Sequence, residues 1–467
     1  MNLILSNIFI LRNSLKKQMT KYSSLAILRA IICFSLLRAC GTLSNIDLST
    51  QTLDPLTTGL MITGGTGGDL LGRFVNTVGD INNDGYDDII VGASGRSGSS
   101  GAAYVIYGGA KSTMTNRALS TQTLNPLTTG FMITGIAASD WLGWSVSTAG
   151  DINNDGCDDI IVGAFGENSK RGAAYVIYGG AKSTMTNIDF STQTLDPLTT
   201  GFMITGNAAG DYFGYSVSTA GDINNDGYDD IIIGGQEKNS KQGSAYVIYG
   251  GEKSSMLNID LSTTTLDPLT TGFMITGNAA GDYFGWSVRT AGDINSDGYD
   301  DIIIGAYKKG SKGAAYVIYG GAKSTMINIA LSTQTLDPLT TGFMITGSAA
   351  GDYFGYSVSR VGDINKDGYD DIIIGAVGKN SHRGAAYVIY GGAKSTMTNI
   401  ALSTQTLDPL TTGFMITGVT ASDALGSSVS TAENINNDGY DNIVVGAFGK
   451  NSNRGATYVI YGDVFFL

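Results

Sequence analysis

A single histidine, His382, serves a chain of 467 residues, and cysteine is nearly as scarce: Cys33, Cys40 and Cys157. So little histidine removes most nucleophilic schemes. A serine triad needs an imidazole, and His382 stands in one variable loop of one repeat. Two of the cysteines fall in an N-terminal apolar segment, so no disulfide framework is readable. Cys157 has no second Cys or His near it in sequence to build a thiolate zinc site. Basic residues are outnumbered 28 to 41 by acidic ones, for a net charge of −13, which argues against nucleic acid as partner. Beyond residue 40 there is no run of 18 apolar residues to span a membrane, and no sustained 3.6-residue period of an amphipathic helix. No glycine-rich loop precedes a helix, so a phosphate cradle is absent. Paired carboxylates occur only inside the acidic loops described below. The expectation is a protein that is not an enzyme.

What is present divides at about residue 40. Lys16, Lys17 and Lys21 precede "SLAILRAIICFSLLRAC", an apolar stretch ending in a small residue and a cysteine. Residues 1–40 therefore read as an export signal: basic region, apolar region, cut site. "LRAC" also resembles the lipobox of bacterial lipoproteins, which would make Cys40 a lipidated N-terminus, although Arg29 and Arg38 depart from that pattern. An uncleaved anchor and a start at Met19 are the alternatives. The protein is expected to be exported, to the envelope, cell surface or medium. It would touch membrane only through this segment.

The remainder is rich in apolar residues and in glycine, 66 against a usual share of about 7%. It is also repetitive. An acidic loop of the form "DINNDGYDD" begins at Asp80, Asp151, Asp222, Asp293, Asp363 and, altered, Asn434, at spacings of 71, 71, 71, 70 and 71. "STQTLDPLTTGFMITG" recurs on the same period. Residues 45–462 thus form six units, 45–115, 116–186, 187–257, 258–327, 328–398 and 399–462, with no room for a separate domain. Each holds four strand-like segments bounded by Gly, Asp or Asn. In the third unit they are 201–206, 213–221, 230–235 and 244–251. Four short strands per unit, six times over, predict an all-β fold, a β-propeller of four-stranded blades. Their continuous apolar runs fit blades buried on both faces. An open β-solenoid is the runner-up.

These residues carry a family resemblance. "FGYSVSTAGDINNDGYDDIIIGA…GAAYVIYGG" resembles the FG-GAP repeat of integrin α propellers and of bacterial surface proteins built from the same unit. "FG" stands at Phe213-Gly214, Phe284-Gly285 and Phe354-Gly355, and "GA", without the proline, at Gly163-Ala164, Gly305-Ala306 and Gly375-Ala376. Units one, two and six have Leu-Gly instead of Phe-Gly. Integrin propellers have seven blades, so six units mean either a six-bladed closed ring or a truncated seven-bladed one. Closure is expected through pairing of the first "GLMITG", 59–64, with the last "YVIY", 458–461, because each would otherwise leave an open sheet edge.

The acidic loop places side-chain oxygens at positions 1, 3, 5 and 9, a backbone carbonyl at 7 and a turn-forming glycine at 6. A hard divalent cation wants such all-oxygen surroundings, and the loop's flexibility favours Ca²⁺. It is not an EF-hand: position 12 is Val91, Val162, Ile233, Ile304 or Ile374 rather than glutamate. The resemblance implies a cation in the loop between the first two strands of each blade. The candidate ligands are Asp80, Asn82, Asp84, Tyr86 and Asp88; Asp151, Asn153, Asp155, Cys157 and Asp159; Asp222, Asn224, Asp226, Tyr228 and Asp230; Asp293, Asn295, Asp297, Tyr299 and Asp301; and Asp363, Asn365, Asp367, Tyr369 and Asp371. About five Ca²⁺ ions would bring the charge from −13 to −3. Cys157 would ligate through its carbonyl. In the sixth loop Asn434 and Asn442 leave only Asp438, so that site is expected to be weak or empty.

Loops between the second and third strands should open on the opposite face. They carry Lys170, Arg171, Lys238, Lys241, Lys308, Lys309, Lys312, Lys379, Arg383, Lys450 and Arg454, read either as solvated turns or as a positive ring for acidic surfaces or glycans. Trp141, Tyr212, Tyr283 and Tyr353 share that face or are buried between blades. The resemblance implies integrin-like adhesion or recognition of a protein or glycan ligand. A carbohydrate-binding propeller and the accessory propeller of a hydrolase system are the alternatives.

Overall fold

A computed structural model describes residues 53–56, 59–435 and 438–462. The expected signal segment lies outside them. The chain divides at Gly59, and residues 60–467 hold the repeated sheets.

The third sheet shows the plan. Its innermost strand, Phe213–Gly221, pairs antiparallel with Asp230–Gly235, which pairs with Ser244–Ile248, which pairs with Gly272–Thr276 of the following repeat. The "YVIY" strand of one unit thus takes its neighbour from "GFMIT" of the next, the same kind of pairing expected above between 458–461 and 59–64. The same exchange recurs with Gly130–Thr134, Gly201–Thr205, Gly342–Thr346 and Gly413–Thr417. A two-residue segment from one repeat further on, Ile329–Ala330, adds in parallel to the fourth strand.

Alternation puts apolar side chains on both faces. In the third strand, Ala245 and Val247 join Phe273 and Ile275 in packing against Phe284, Ile302 and Ile304 of the next blade. Tyr246 and Ile248 turn the other way, onto Val176, Phe202 and Ile204 of the blade before. Fully buried side chains of this size contribute about 1.5–3 kcal/mol each, so the inter-blade layers hold the array together.

The "FG" and "GA" glycines explain their own recurrence. Gly214 has φ +83°, and a Cβ on its counterpart Gly163 in the preceding blade would lie 2.1 Å from the Gly214 carbonyl oxygen. The two backbones meet with no room for a side chain, which leaves glycine as the residue for both.

The end blades differ. The last comprises Leu425–Glu433, Asn442–Ala447 and Ala456–Ile460, and no described strand lies on the outer edge of the third. At the other end Ile62–Thr63 pairs in parallel with Arg117–Ala118, the outer pairing seen in the four five-stranded sheets, without inner strands to complete it. Closure of 59–64 onto 458–461 is therefore not found among the described strands. Val75 in the first blade and Val459 in the last are 61% and 45% exposed, where equivalent residues in the middle blades are covered.

Candidate cation loops and the opposite loop face

Each acidic loop joins the innermost strand to the second, as the sequence places it. The position-1 carboxylate folds back on its own turn. Asp222 accepts hydrogen bonds from the backbone N–H of Asp226 at 3.0 Å and of Gly227 at 2.8 Å, and Asp80, Asp151, Asp293 and Asp363 repeat the pattern. The position-5 carboxylate caps the next turn: Asp226 accepts from Tyr228 N–H at 3.2 Å. The peptide N–H of Cys157 does the same to Asp155 at 3.1 Å, so cysteine enters this loop without disturbing its backbone. Its thiol is buried and free.

Position 9 opens the second strand and is fully buried at Asp88, Asp159, Asp230, Asp301 and Asp371. Each accepts a hydrogen bond from a glycine N–H at the end of the third strand, such as Gly250 to Asp230 at 2.8 Å. In the first four loops it also accepts from the Asn side chain at position 3, at 2.7–2.8 Å. Burial, reinforced by neighbouring loop aspartates, pushes Asp88 up to about 6 and Asp371 up to about 8. It holds Asp159, Asp230 and Asp301 well above the usual carboxylate range. A cation beside such a group would reverse that cost.

One atom in each of the first four loops fits a cation. Asn82, Asn153, Asn224 and Asn295 are 3–6% exposed, and their Oδ1 atoms are buried without a hydrogen-bond partner. A buried orphan acceptor is rare, and four in register, beside carboxylates, suit a metal ligand. In the fifth loop Asn365 instead accepts from Asp367 N–H at 2.9 Å. Among the described residues no three carboxylate, imidazole or thiolate groups already converge on one point, so position-1 and position-5 carboxylates would turn inward to complete the shell. In the sixth loop Asn442 fills the buried position 9 without charge. It donates to the Glu433 carbonyl at 2.7 Å and accepts from Gly462 N–H at 3.2 Å.

Two recurrent contacts escaped the sequence reading. The position-8 aspartate reaches the preceding blade: Asp158, Asp229, Asp300 and Asp370 accept from the position-1 N–H of Asp80, Asp151, Asp222 and Asp293 at 2.9–3.0 Å. Each lies against a positive-φ glycine just before that loop. A Cβ on Gly221 would fall 2.1 Å from Asp300 Oδ2. In the second contact, lysines of the "GGAKS" turns ("GGEKS" at Lys253), Lys182, Lys253, Lys323 and Lys394, pair with position-5 Asp84, Asp155, Asp226 and Asp297 of the repeat before. Both residues recur as faithfully as the candidate ligands, which was the available signal.

On the other face the basic loops are less open than a positive ring would be. Lys309, Lys379 and Lys450 pair with Asp282, Asp352 and Asp423 at 3.7, 3.5 and 3.1 Å. Lys238 donates to Tyr246 at 2.7 Å and is buried. Lys170 and Lys241 lie over Tyr212 and Tyr283. Tyr212, Tyr283, Tyr353 and Trp141 are half-buried in a continuous aromatic row through Phe165, Tyr215, Trp286 and Tyr307. The second repeat breaks the ion-pair pattern. Glu167 takes the lysine's place beside Asp140; both are 6% exposed, and Glu167 accepts from the Tyr175 hydroxyl at 2.5 Å. A cavity of about 430 Å³ opens there, lined by Ile136, Asp140, Glu167 and Lys170.

The loops, the paired glycines and the strand order define a class of repeat. The FG-GAP repeat family model matches residues 75–106, 142–177, 213–248, 284–318 and 354–389. Integrin alpha pat-2 of Caenorhabditis elegans is 31% identical over 246 residues, Integrin alpha-V of Gallus gallus 31% over 242, and Integrin alpha-5 of Xenopus laevis 28% over 250. Each alignment covers 51% of this chain but only 18–20% of the relative, so the match is to about a fifth of those proteins. The chain is an FG-GAP repeat protein of the integrin α type.

Proposed function

We propose that this chain is a non-catalytic recognition or adhesion module, exported to the cell surface or beyond. In this reading its loops between first and second strands take Ca²⁺ at about five positions and its opposite face takes a protein ligand. Asp80, Asn82, Asp84, the Tyr86 carbonyl and Asp88, with their counterparts in the next four repeats, would hold the ions. Bound Ca²⁺ supplies charge neutralisation and a rigid turn. Integrin α relatives and the orphaned asparagine oxygens support this reading. No helix among the described residues is long and apolar enough to cross a membrane.

The observation that carries the ligand reading is the Asp140–Glu167 cavity. Repeats three to six put a lysine ammonium near the equivalent aspartate, whereas repeat two offers two carboxylates and an open space. That suits a lysine or arginine side chain from a partner protein, since a buried acidic pair gains most from an incoming cation. Selection from a displayed random peptide library tests it. Peptides captured by the wild type should carry basic residues and lose at least tenfold in affinity for Glu167→Lys, which restores the pattern of the other repeats. Peptides without basic residues, or equal binding to Glu167→Lys, would refute it. The aromatic row favours a second reading, a glycan ligand, which a glycan array would reveal as multivalent sugar binding.

A further inference from the structure

Lys182, Lys253, Lys323 and Lys394 do more than decorate a turn. Each belongs to the blade after the loop it touches. Lys253 Nζ lies 2.6 Å from Asp155 Oδ2, and Lys323 Nζ 2.5 Å from Asp226 Oδ2. Each ammonium also sits over the ring of the tyrosine that ends the third strand of the same blade as its aspartate: 5.2 Å from Tyr107, 4.9 Å from Tyr178, 5.0 Å from Tyr249 and 4.9 Å from Tyr319. Such a cation–π contact further fixes a charge already held by a carboxylate. Beside each pair lies an asparagine whose buried oxygen has no partner, so the loop is short of one cation while the ammonium already holds the carboxylate that cation needs.

We infer that these four lysines are tethered competitors of the divalent cation. The position-5 carboxylate can turn inward to a metal ion or outward to the lysine, and not both, so filling a loop releases the lysine of the next blade. In the empty loop the ammonium offsets part of the carboxylate repulsion; in the filled loop the ion does so. Cation occupancy is thereby linked to a tie between neighbouring blades. The fifth loop differs. The residue one period after Lys394 is Phe465, so Asp367 has no such lysine, and Asp367 instead accepts from the Asn365 side chain at 2.9 Å. Four lysine-opposed loops and one unopposed loop are two classes of site.

The inference rests on the cation reading above, and calorimetric titration with CaCl₂ separates the two. In a variant carrying Lys→Met at 182, 253, 323 and 394, calcium should bind about fivefold more tightly at four sites, the factor an ion pair at the strong end of the exposed range represents. The stoichiometry should not change. Lys253→Met alone, which leaves three tethers, should tighten one site. In the wild type, reductive methylation of Lys253, followed by mass spectrometry, should quicken when Ca²⁺ is added. Equal affinity in wild type and variants, or labelling of Lys253 indifferent to Ca²⁺, overturns the competition while leaving the cation reading intact. Absence of Ca²⁺ binding in every protein overturns both.

Discussion

At the scale of single residues, the loops are organised around a buried carboxylate that the rest of the turn does not neutralise. Asp230 rests on N–H donors from Gly250, Ile223 and Asn224, and Asn442 shows what the same pocket looks like once the charge is removed. The contrast sets a measurable difference between repeats. Asp226→Ala should remove one calcium from the titration stoichiometry. It should also shrink the calcium-induced rise in stability by one site's share, about 2.7 kcal/mol when the free ion stands at a hundred times its dissociation constant. Asp438→Ala should leave both quantities unchanged, because Asn434 and Asn442 already deprive its loop of carboxylates. Equal losses from the two variants would refute this ranking. The ligand-type residues were legible because they form an oxygen pattern at fixed spacing. Asp300 and Lys323 were not, since their partners lie in the preceding repeat and nothing local to either residue announces the contact.

At the scale of strands and turns, the decisive joints are those where one blade touches another through backbone. Gly221 has φ +69° and lies under Asp300, which is also held by Asp222 N–H. Gly221→Ala therefore adds left-handed strain and pushes the aspartate off its donor. It should cost about 2–3 kcal/mol, read as a lower urea midpoint with calcium chelated. Glu433→Gly, at the matching position of the last repeat, should raise that midpoint slightly instead, because Glu433 stands at φ +46° and glycine relieves that strain, while no described aspartate reaches it. If Gly221→Ala proved neutral, the inter-blade strut would have no energetic weight. Pairing of "YVIY" with the following "GFMIT" could be foreseen from the need to satisfy every strand edge. The parallel Ile329–Ala330 segment could not, because two residues carry no periodicity.

At the scale of the whole molecule, the repeats are stacked by nearest-neighbour contacts, and the first and last of them meet no described partner on their outer sides. Deleting residues 45–66 removes Ile62–Thr63, whose described pairing is with Arg117–Ala118 alone. The shortened chain should melt within a few degrees of the full one and stay monomeric. A collapse of the transition, or aggregation, would show that this strand seals the last blade into a ring. The repeated four-stranded sheet was readable from the period; the pairing of the end strands was not, because it joins segments far apart in the chain. The inter-blade ties also have a direction. Asp158 and Lys182 both reach back towards the N-terminus, to Asp80 and Asp84, and the next repeats do the same. A unit gained or lost in the interior by recombination would meet, on either side, the partners its neighbours had before. Copy number can therefore drift through evolution without any joint being reinvented.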